Sequence, residues 1–177
     1  DLGGPGGDEI IVVDGGSSDA TASLAAAVPG IRVLAAALGR ASQMNVGART
    51  AVNDAVLFLH ADTRLPPGGI GMIRRAVAEG ATWGFFHVRL DSPRPVFRVI
   101  EFFFNRRVAL TGGATGDQAI FCLRSFAGAA PFREIPLMED LDLVRRLGRR
   151  ARPAIIATPV VTSARRWERH GILRTVL

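Results

Sequence analysis

Ile10-Ile11-Val12-Val13-Asp14-Gly15-Gly16-Ser17-Ser18-Asp19-Ala20-Thr21 decides the fold class of this 177-residue chain. Four β-branched residues in a row suit a strand buried on both faces of a parallel sheet, where no solvent face demands alternation. Asp14-Gly15-Gly16 ends the strand. Ser17, Ser18 or Asp19 can then cap a helix to about Val28, stopped by Pro29-Gly30. The same alternation recurs downstream. A second strand is expected over 32–35, a helix capped by Ser42 and running to about Val52, and a third strand over 55–59. After Pro66-Pro67-Gly68 a helix runs to about Glu79, followed by a longer strand over 82–90. Pro95 suits the first residue of a helix over 95–109. Strands over 118–123, 154–157 and 160–163 and a helix over 139–146 complete the reading. Strands alternating with helices imply an α/β layer architecture around a mostly parallel sheet. No repeat or linker interrupts it, so a single domain over 1–177 is expected. The Gly-rich opening at 3–7 and the stop at Leu177 are both abrupt, which suggests truncation at both ends.

Apolar residues make up 48% of the chain, enough for a folded globule of this length. The formal net charge is +6, and Arg carries all of the Lys-plus-Arg total. A basic surface favours phosphates, nucleic acid or acidic lipid heads. No recognition helix or zinc signature is present and aromatics do not alternate with the Arg residues, which counts against nucleic acid. Cys122 is the only cysteine, so no intrachain disulfide can form, as suits a reducing compartment. No signal peptide or membrane-spanning run is visible, so a cytoplasmic location is expected. In the 95–109 helix, Arg98, Glu101 and Asn105 share one face. Val96, Phe97, Val99, Ile100, Phe102, Phe103 and Phe104 cover the rest. So wide an apolar arc is expected to be mostly buried, or to meet another chain or a membrane surface. Peripheral attachment at the inner face of the membrane and a dimer contact are the two variants of the latter.

Four constellations carry chemistry. Asp14 and its Gly-Gly-Ser-Ser-Asp loop lie at the carboxyl end of a strand, where open α/β sheets bind ligands. A carboxylate there can meet a ribose or base, and the next helix N-terminus can meet phosphate. Asp14 can equally shape a turn and Asp19 cap a helix. Leu57-Phe58-Leu59-His60-Ala61-Asp62-Thr63 is again a strand ending in a carboxylate. Asp62 offers the hard oxygen that a divalent cation on a pyrophosphate requires. Met138-Glu139-Asp140-Leu141-Asp142 places three acids in the first turn of a helix, where the macrodipole alone favours them. Apolar Leu137, Met138, Leu141 and Leu143 around them point to a cleft, where a carboxylate can act as general base on a hydroxyl. Ser163-Ala164-Arg165-Arg166-Trp167 can clamp a diphosphate, with the indole as a platform, or form a solvated helix face.

The order and spacing of E-I-I-V-V-D-G-G-S-S-D-A-T, G-R-A-S-Q-M-N-V-G-A, F-L-H-A-D-T, G-D-Q-A-I-F, M-E-D-L-D-L and S-A-R-R-W resemble the family-two glycosyltransferases of the GT-A fold. The resemblance covers residues 9–171 and is nearest to the small bacterial subgroup associated with radical-SAM and selenium-domain gene clusters. It implies an inverting enzyme that uses a nucleoside-diphosphate sugar, such as a UDP- or GDP-sugar, an acceptor hydroxyl, and Mg²⁺ or Mn²⁺. On that resemblance, Asp14 with Gly15 and Ser17 meets the nucleoside and Asp19 supports their loop. Arg40 approaches the base or a phosphate, and Asn45 holds its helix against the nucleotide loop. His60-Ala61-Asp62 stands in the D-x-D frame, with His60 on the donor side and Asp62 as metal ligand. Gly116, Asp117 and Gln118 line the acceptor side. Asp140 is the catalytic base with Glu139 beside it. Ser163, Arg166 and Trp167 occupy the frame of the Q-x-x-R-W motif, and Arg165 joins Arg166 in neutralising the leaving group. His170 is a further candidate metal ligand. Two departures follow: His60 replaces the first Asp of D-x-D, and the family's opening strand with its P-x-x-N-E segment is missing before Asp1. A sugar-nucleotide-forming nucleotidyltransferase shares the frame, but the 3–7 Gly stretch lacks the basic residue its activation loop needs. A catalytically impaired relative is the other alternative.

Overall fold

The computed structural model describes residues 7–170. The β-branched run forms strand β1 (Ile10–Asp14), paired in parallel with β2 (Ile31–Ala35) with Val12 opposite Val33. β1 is half-buried along its whole length, not buried on both faces as its composition implies. Among the described residues its sheet has only these two strands, so its second edge has no strand beside it. Helix α1 (Thr21–Ala26) is shorter than expected and starts later. Ala20 holds the N-cap position without a side-chain bond, while Asp19 Oδ1, one residue earlier, accepts the Thr21 N–H at 3.0 Å and its hydroxyl at 2.5 Å. Helix α2 (Arg40–Thr50) begins two residues before the expected Ser42 cap. Gly39 holds its N-cap at φ 138°, a conformation that favours glycine.

The chain gathers into two compact units. One comprises residues up to Val56 with Cys122–Leu147; the other comprises Leu57–Phe121 with residues from Gly148 onward. The first holds β1, β2, α1, α2, a short α5 (Arg124–Ala127) and nearly all of α6 (Glu139–Gly148). Strands β3 (Ala55–Phe58) and β6 (Ile120–Leu123) span the points where the chain passes from one unit to the other.

The second unit is built on β5 (Trp83–Leu90), where Trp83, Phe85 and Phe86 are fully buried. Phe86 and Val88 join Phe121, Val160 and Ile73 of α3 (Gly69–Ala78) in one apolar cluster. β5 runs parallel to β7 (Ala154–Thr162), which pairs antiparallel with the two-residue β4 (Thr63–Arg64). The two short strands expected over 154–163 are thus one. Pro159 between them cannot donate to a ladder, and the register slips there, from Phe86 opposite Ile156 to Val88 opposite Val160. Gly84 permits the close approach of these strands: a Cβ there would overlap the Ala154 carbonyl oxygen and the Phe121 ring.

Helix α4 (Pro95–Thr111) extends two residues past the expected end, to the left-handed Gly112. Its orientation reverses the simplest reading of its polar stripe. Arg98, Glu101 and Asn105 face inward and serve the backbone of β5 as a neighbouring strand would. Asn105 accepts the Val88 N–H and donates to its carbonyl, both at 2.9 Å. Glu101 accepts the Leu90 N–H at 2.6 Å, and Arg98 donates to the Leu90 and Ser92 carbonyls. Backbone groups that would otherwise be buried without partners explain this arrangement. Val99, Phe102 and Phe103 are left outside.

Candidate active site

In the first unit the carboxyl end of β1 is organised by Asp14 itself. Its Oδ2 accepts the N–H groups of Gly16 and Ser17 at 3.0 Å each, and its Oδ1 accepts the Ser17 hydroxyl at 2.5 Å. These bonds, the Ser17 hydroxyl foremost, hold the Asp14 carboxyl below its ordinary value. The Thr21 hydroxyl does the same for Asp19. Both acids therefore shape the loop, as the plainer reading allows, and remain charged at neutral pH. Gln43 of α2 donates to the Val13 carbonyl at 3.2 Å and passes close over Gly15, where a Cβ would press on its amide. Gln43, which the motif reading did not single out, ties α2 to the end of β1 and the loop that follows it. Asn45 faces elsewhere: its side chain exchanges two bonds, 2.8 and 2.9 Å, with the Phe132 carbonyl and N–H. It anchors the segment leading to α6, in place of the loop contact expected of it.

Arg40 Nε sits 2.7 Å from Glu139 Oε1, with Glu139 3% exposed and Arg40 half-exposed. Two motifs far apart in sequence are thereby joined inside one unit, and Arg40 directs one of its three guanidinium nitrogens to a protein carboxylate. Asp140 is buried beside Glu139 in the first turn of α6, its Oδ1 accepting the Leu141 N–H at 2.7 Å. Asp142 belongs to a different network, with Arg146 at 2.8 Å and Arg133 at 3.4 Å. The apolar surround expected of this acidic turn is only half present. Leu143 is fully buried, but Leu137 and Met138 are exposed. Met138 enters the helix at φ 64°, a left-handed conformation that a side chain adopts at some cost and that recurs at functional sites.

In the second unit His60-Ala61-Asp62-Thr63 is a tight turn closed by the Thr63 N–H on the His60 carbonyl at 3.0 Å. Asp62 lies exposed at its tip. The turn is pinned by the buried Thr63–Thr162 hydroxyl pair at 2.9 Å, one residue after Asp62 and one before Ser163. His60 Nδ1 lies 3.1 Å from Asp117 Oδ1, joining the D-x-D frame to Gly116-Asp117-Gln118. That triplet is a 3-10 turn, so the strand expected from Gln118 starts only at Ile120. Only Asp117 of the three is exposed. Gln118 is fully buried and donates to the Phe86 carbonyl at 3.1 Å, so it is a structural pin, not an acceptor-side contact. Ala119 after it has φ 49°. Arg165 is exposed at the start of α7 (Arg165–His170), where the Ser163 hydroxyl accepts its N–H at 3.2 Å. Trp167 is partly buried, packed against the cluster of Leu90, Phe97 and Ala164. With Asp117, Thr162 and Phe104 it also lines a small cleft beneath α4. The side chains of Arg166 and His170 lie outside the described residues.

Among the described residues no group of three His, Cys, Asp or Glu side chains could hold a metal ion. Nor is any helix among them long and apolar enough to cross a membrane.

The sequence pattern described as glycosyl transferase family 2 matches residues 4–130, more than half of the chain. Asp14, Arg40, Asp62 and Asp117 fall inside that match; Glu139, Asp140 and the Arg165 segment fall beyond it. No curated protein matches the chain. A mycobacterial protein of known crystal structure shares the fold, with a TM-score of 0.58 at 20% identity over 88% of this chain. The chain spans 55% of that protein's length.

Proposed function

Because this chain belongs to glycosyl transferase family 2 and carries its GT-A fold, we propose that it transfers a sugar from a nucleoside-diphosphate sugar to an acceptor hydroxyl with inversion. The observation that carries this reading is the Arg40–Glu139 pair, which ties the helix behind the nucleotide loop to the acidic turn holding Asp140. Asp14, Gly15 and Ser17 form the nucleoside side of the site, with Asp19 setting the loop. Asp140 takes the proton of the acceptor hydroxyl, whose oxygen attacks the anomeric carbon opposite the diphosphate. Arg40 balances the charge of Glu139, the carboxylate next to Asp140 in the chain. Arg165 offsets charge developing on the leaving diphosphate, a preorganised electrostatic role. Asp62 suits Mg²⁺ or Mn²⁺: it is one exposed hard-oxygen donor, and a cation shared with a diphosphate needs only one or two ligands from the protein. Such a cation would stabilise charge on the diphosphate oxygens.

Isothermal titration with UDP- and GDP-sugars, with and without Mn²⁺, paired with a transfer assay, tests the proposal. Asp140→Asn should keep nucleotide binding and lose transfer by roughly a hundredfold or more. Unchanged turnover in that variant overturns the base assignment, and release of pyrophosphate from a nucleoside triphosphate would make the chain a nucleotidyltransferase.

A further inference from the structure

The inward turn of the polar stripe of α4 leaves an apolar face on the outside. Val99, Phe102, Phe103 and Leu110 are 55%, 61%, 65% and 79% exposed, and Val96 also faces out. Spacings of three, four and seven residues put them on one side of the helix, opposite the buried Phe97, Glu101 and Val108. Phe102 and Phe103 stand edge to face with centroids 5.5 Å apart, a ready-made aromatic pair. Five large apolar side chains exposed together on one face mark a contact surface.

Charge identifies the partner. Arg106 lies within the stripe and Arg107 at its border, both exposed. The only acid of α4, Glu101, is turned inward and paired with Arg98 at 2.8 Å. The outer face is therefore apolar and purely basic. A second copy placed symmetrically against it would bring no acid from its own helix face to meet Arg106 and Arg107. A bilayer rich in anionic headgroups offers both the acyl boundary for the Phe pair and the phosphates for the arginines. An apolar face edged by Arg is what lets a helix lie in the plane of such an interface. We propose that the outer face of α4 docks this protein on an anionic lipid surface, with Phe102 and Phe103 inserted and Arg106 and Arg107 on the headgroups. Docking of this kind needs no nucleotide, so it stands or falls independently of the transfer reaction.

Co-flotation with vesicles tests it, using phosphatidylcholine alone and phosphatidylcholine mixed in equal parts with phosphatidylglycerol. The wild-type chain should float with the mixed vesicles and about tenfold less with the neutral ones, and added salt should release it. Phe102→Ser/Phe103→Ser, which alters only exposed side chains, should keep the wild-type thermal transition and lose about tenfold in partition. Arg106→Glu/Arg107→Glu should lose binding to the mixed vesicles specifically. A wild-type chain that ignores anionic vesicles overturns the proposal, as does undiminished flotation of the Phe variant. A wild-type dimer in light scattering that the Phe variant converts to monomer would instead assign the face to a second copy.

Discussion

In the unit built on β1 and β2, Asn45, Glu139 and Asp140 are buried and bonded: Asn45 to Phe132, Glu139 to Arg40, Asp140 to the Leu141 N–H in the first turn of α6. In the unit built on β5 and β7, Asp62, Asp117 and Arg165 stand exposed on turns over a dense aromatic core of Trp83, Phe85, Phe86 and Phe121. The first unit thus uses its site residues as part of its own scaffold. The second obtains stability from apolar packing and keeps Asp62, Asp117 and Arg165 at its surface. Substitutions should accordingly damage fold and function together in the first unit and separately in the second.

The largest effect is expected where packing alone is at stake. Gly84→Ala forces a Cβ into the Ala154 carbonyl and the Phe121 ring, and should cost about 3 kcal/mol. Calorimetry should then show a melting point lower by roughly 6–12 °C. A negligible shift would mean that the β5–β7 packing yields easily and that the contrast between the units is overdrawn. Next comes Arg40→Met, which strands the buried Glu139 carboxylate and should cost about 2 kcal/mol, moderated because Arg40 is half-exposed. Adding Glu139→Gln should recover part of that loss. Additive effects in the double-mutant cycle would show that the pair does not hold the first unit.

Asp62→Ala sharpens the comparison from the other side. Stability should stay within about 0.5 kcal/mol of wild type, while Mn²⁺-dependent transfer falls roughly a hundredfold. Binding indifferent to chelator and to the substitution would remove Asp62 from the metal site. The smallest effect is local and acid-driven. Asp14 and Asp19 have folded-state values below their ordinary ones, held down chiefly by the Ser17 and Thr21 hydroxyls. Their contribution to loop order is therefore complete above about pH 4 and is lost as pH falls through the folded values. Amide resonances of Gly16, Ser17 and Thr21 should report that loosening in an NMR titration. If Ser17→Ala leaves the Asp14 titration where it was, the hydroxyl is not its cause.

Much of this was legible in the residues. The strand–loop–helix at 10–26, the helix opened by Pro95 and the acidic first turn of α6 lie close to where β-branching, proline and the helix dipole put them. The missed elements are short. β4 has two residues and α5 four, too few for any periodicity to register. Pro159 split β7 in the sequence because a proline ordinarily ends a ladder, and only the register shift against β5 keeps the strand continuous. Among the site residues, motif position gives Asn45 a loop contact and Gln118 an acceptor-side one, yet both bond to distant backbone groups. Amides serve either purpose with the same chemistry, so motif position alone could not separate the two. Gln43 escaped notice for the same reason.

What the sequence determined by itself is the local order: where strands end in carboxylates, which glycines permit the turns, and which family pattern those spacings match. Tertiary structure alone decided the partners. It joined Arg40 to Glu139 across almost a hundred residues, set His60 against Asp117, and turned the polar stripe of α4 inward. Periodicity reports that a helix has a polar face and an apolar one. It does not report whether a strand with unpaired N–H and carbonyl groups lies nearby, and an unmet buried backbone bond outweighs the exposure of a few apolar side chains. β5 presents such groups at Val88 and Leu90, so Glu101 and Asn105 went in and Phe102 and Phe103 stayed out.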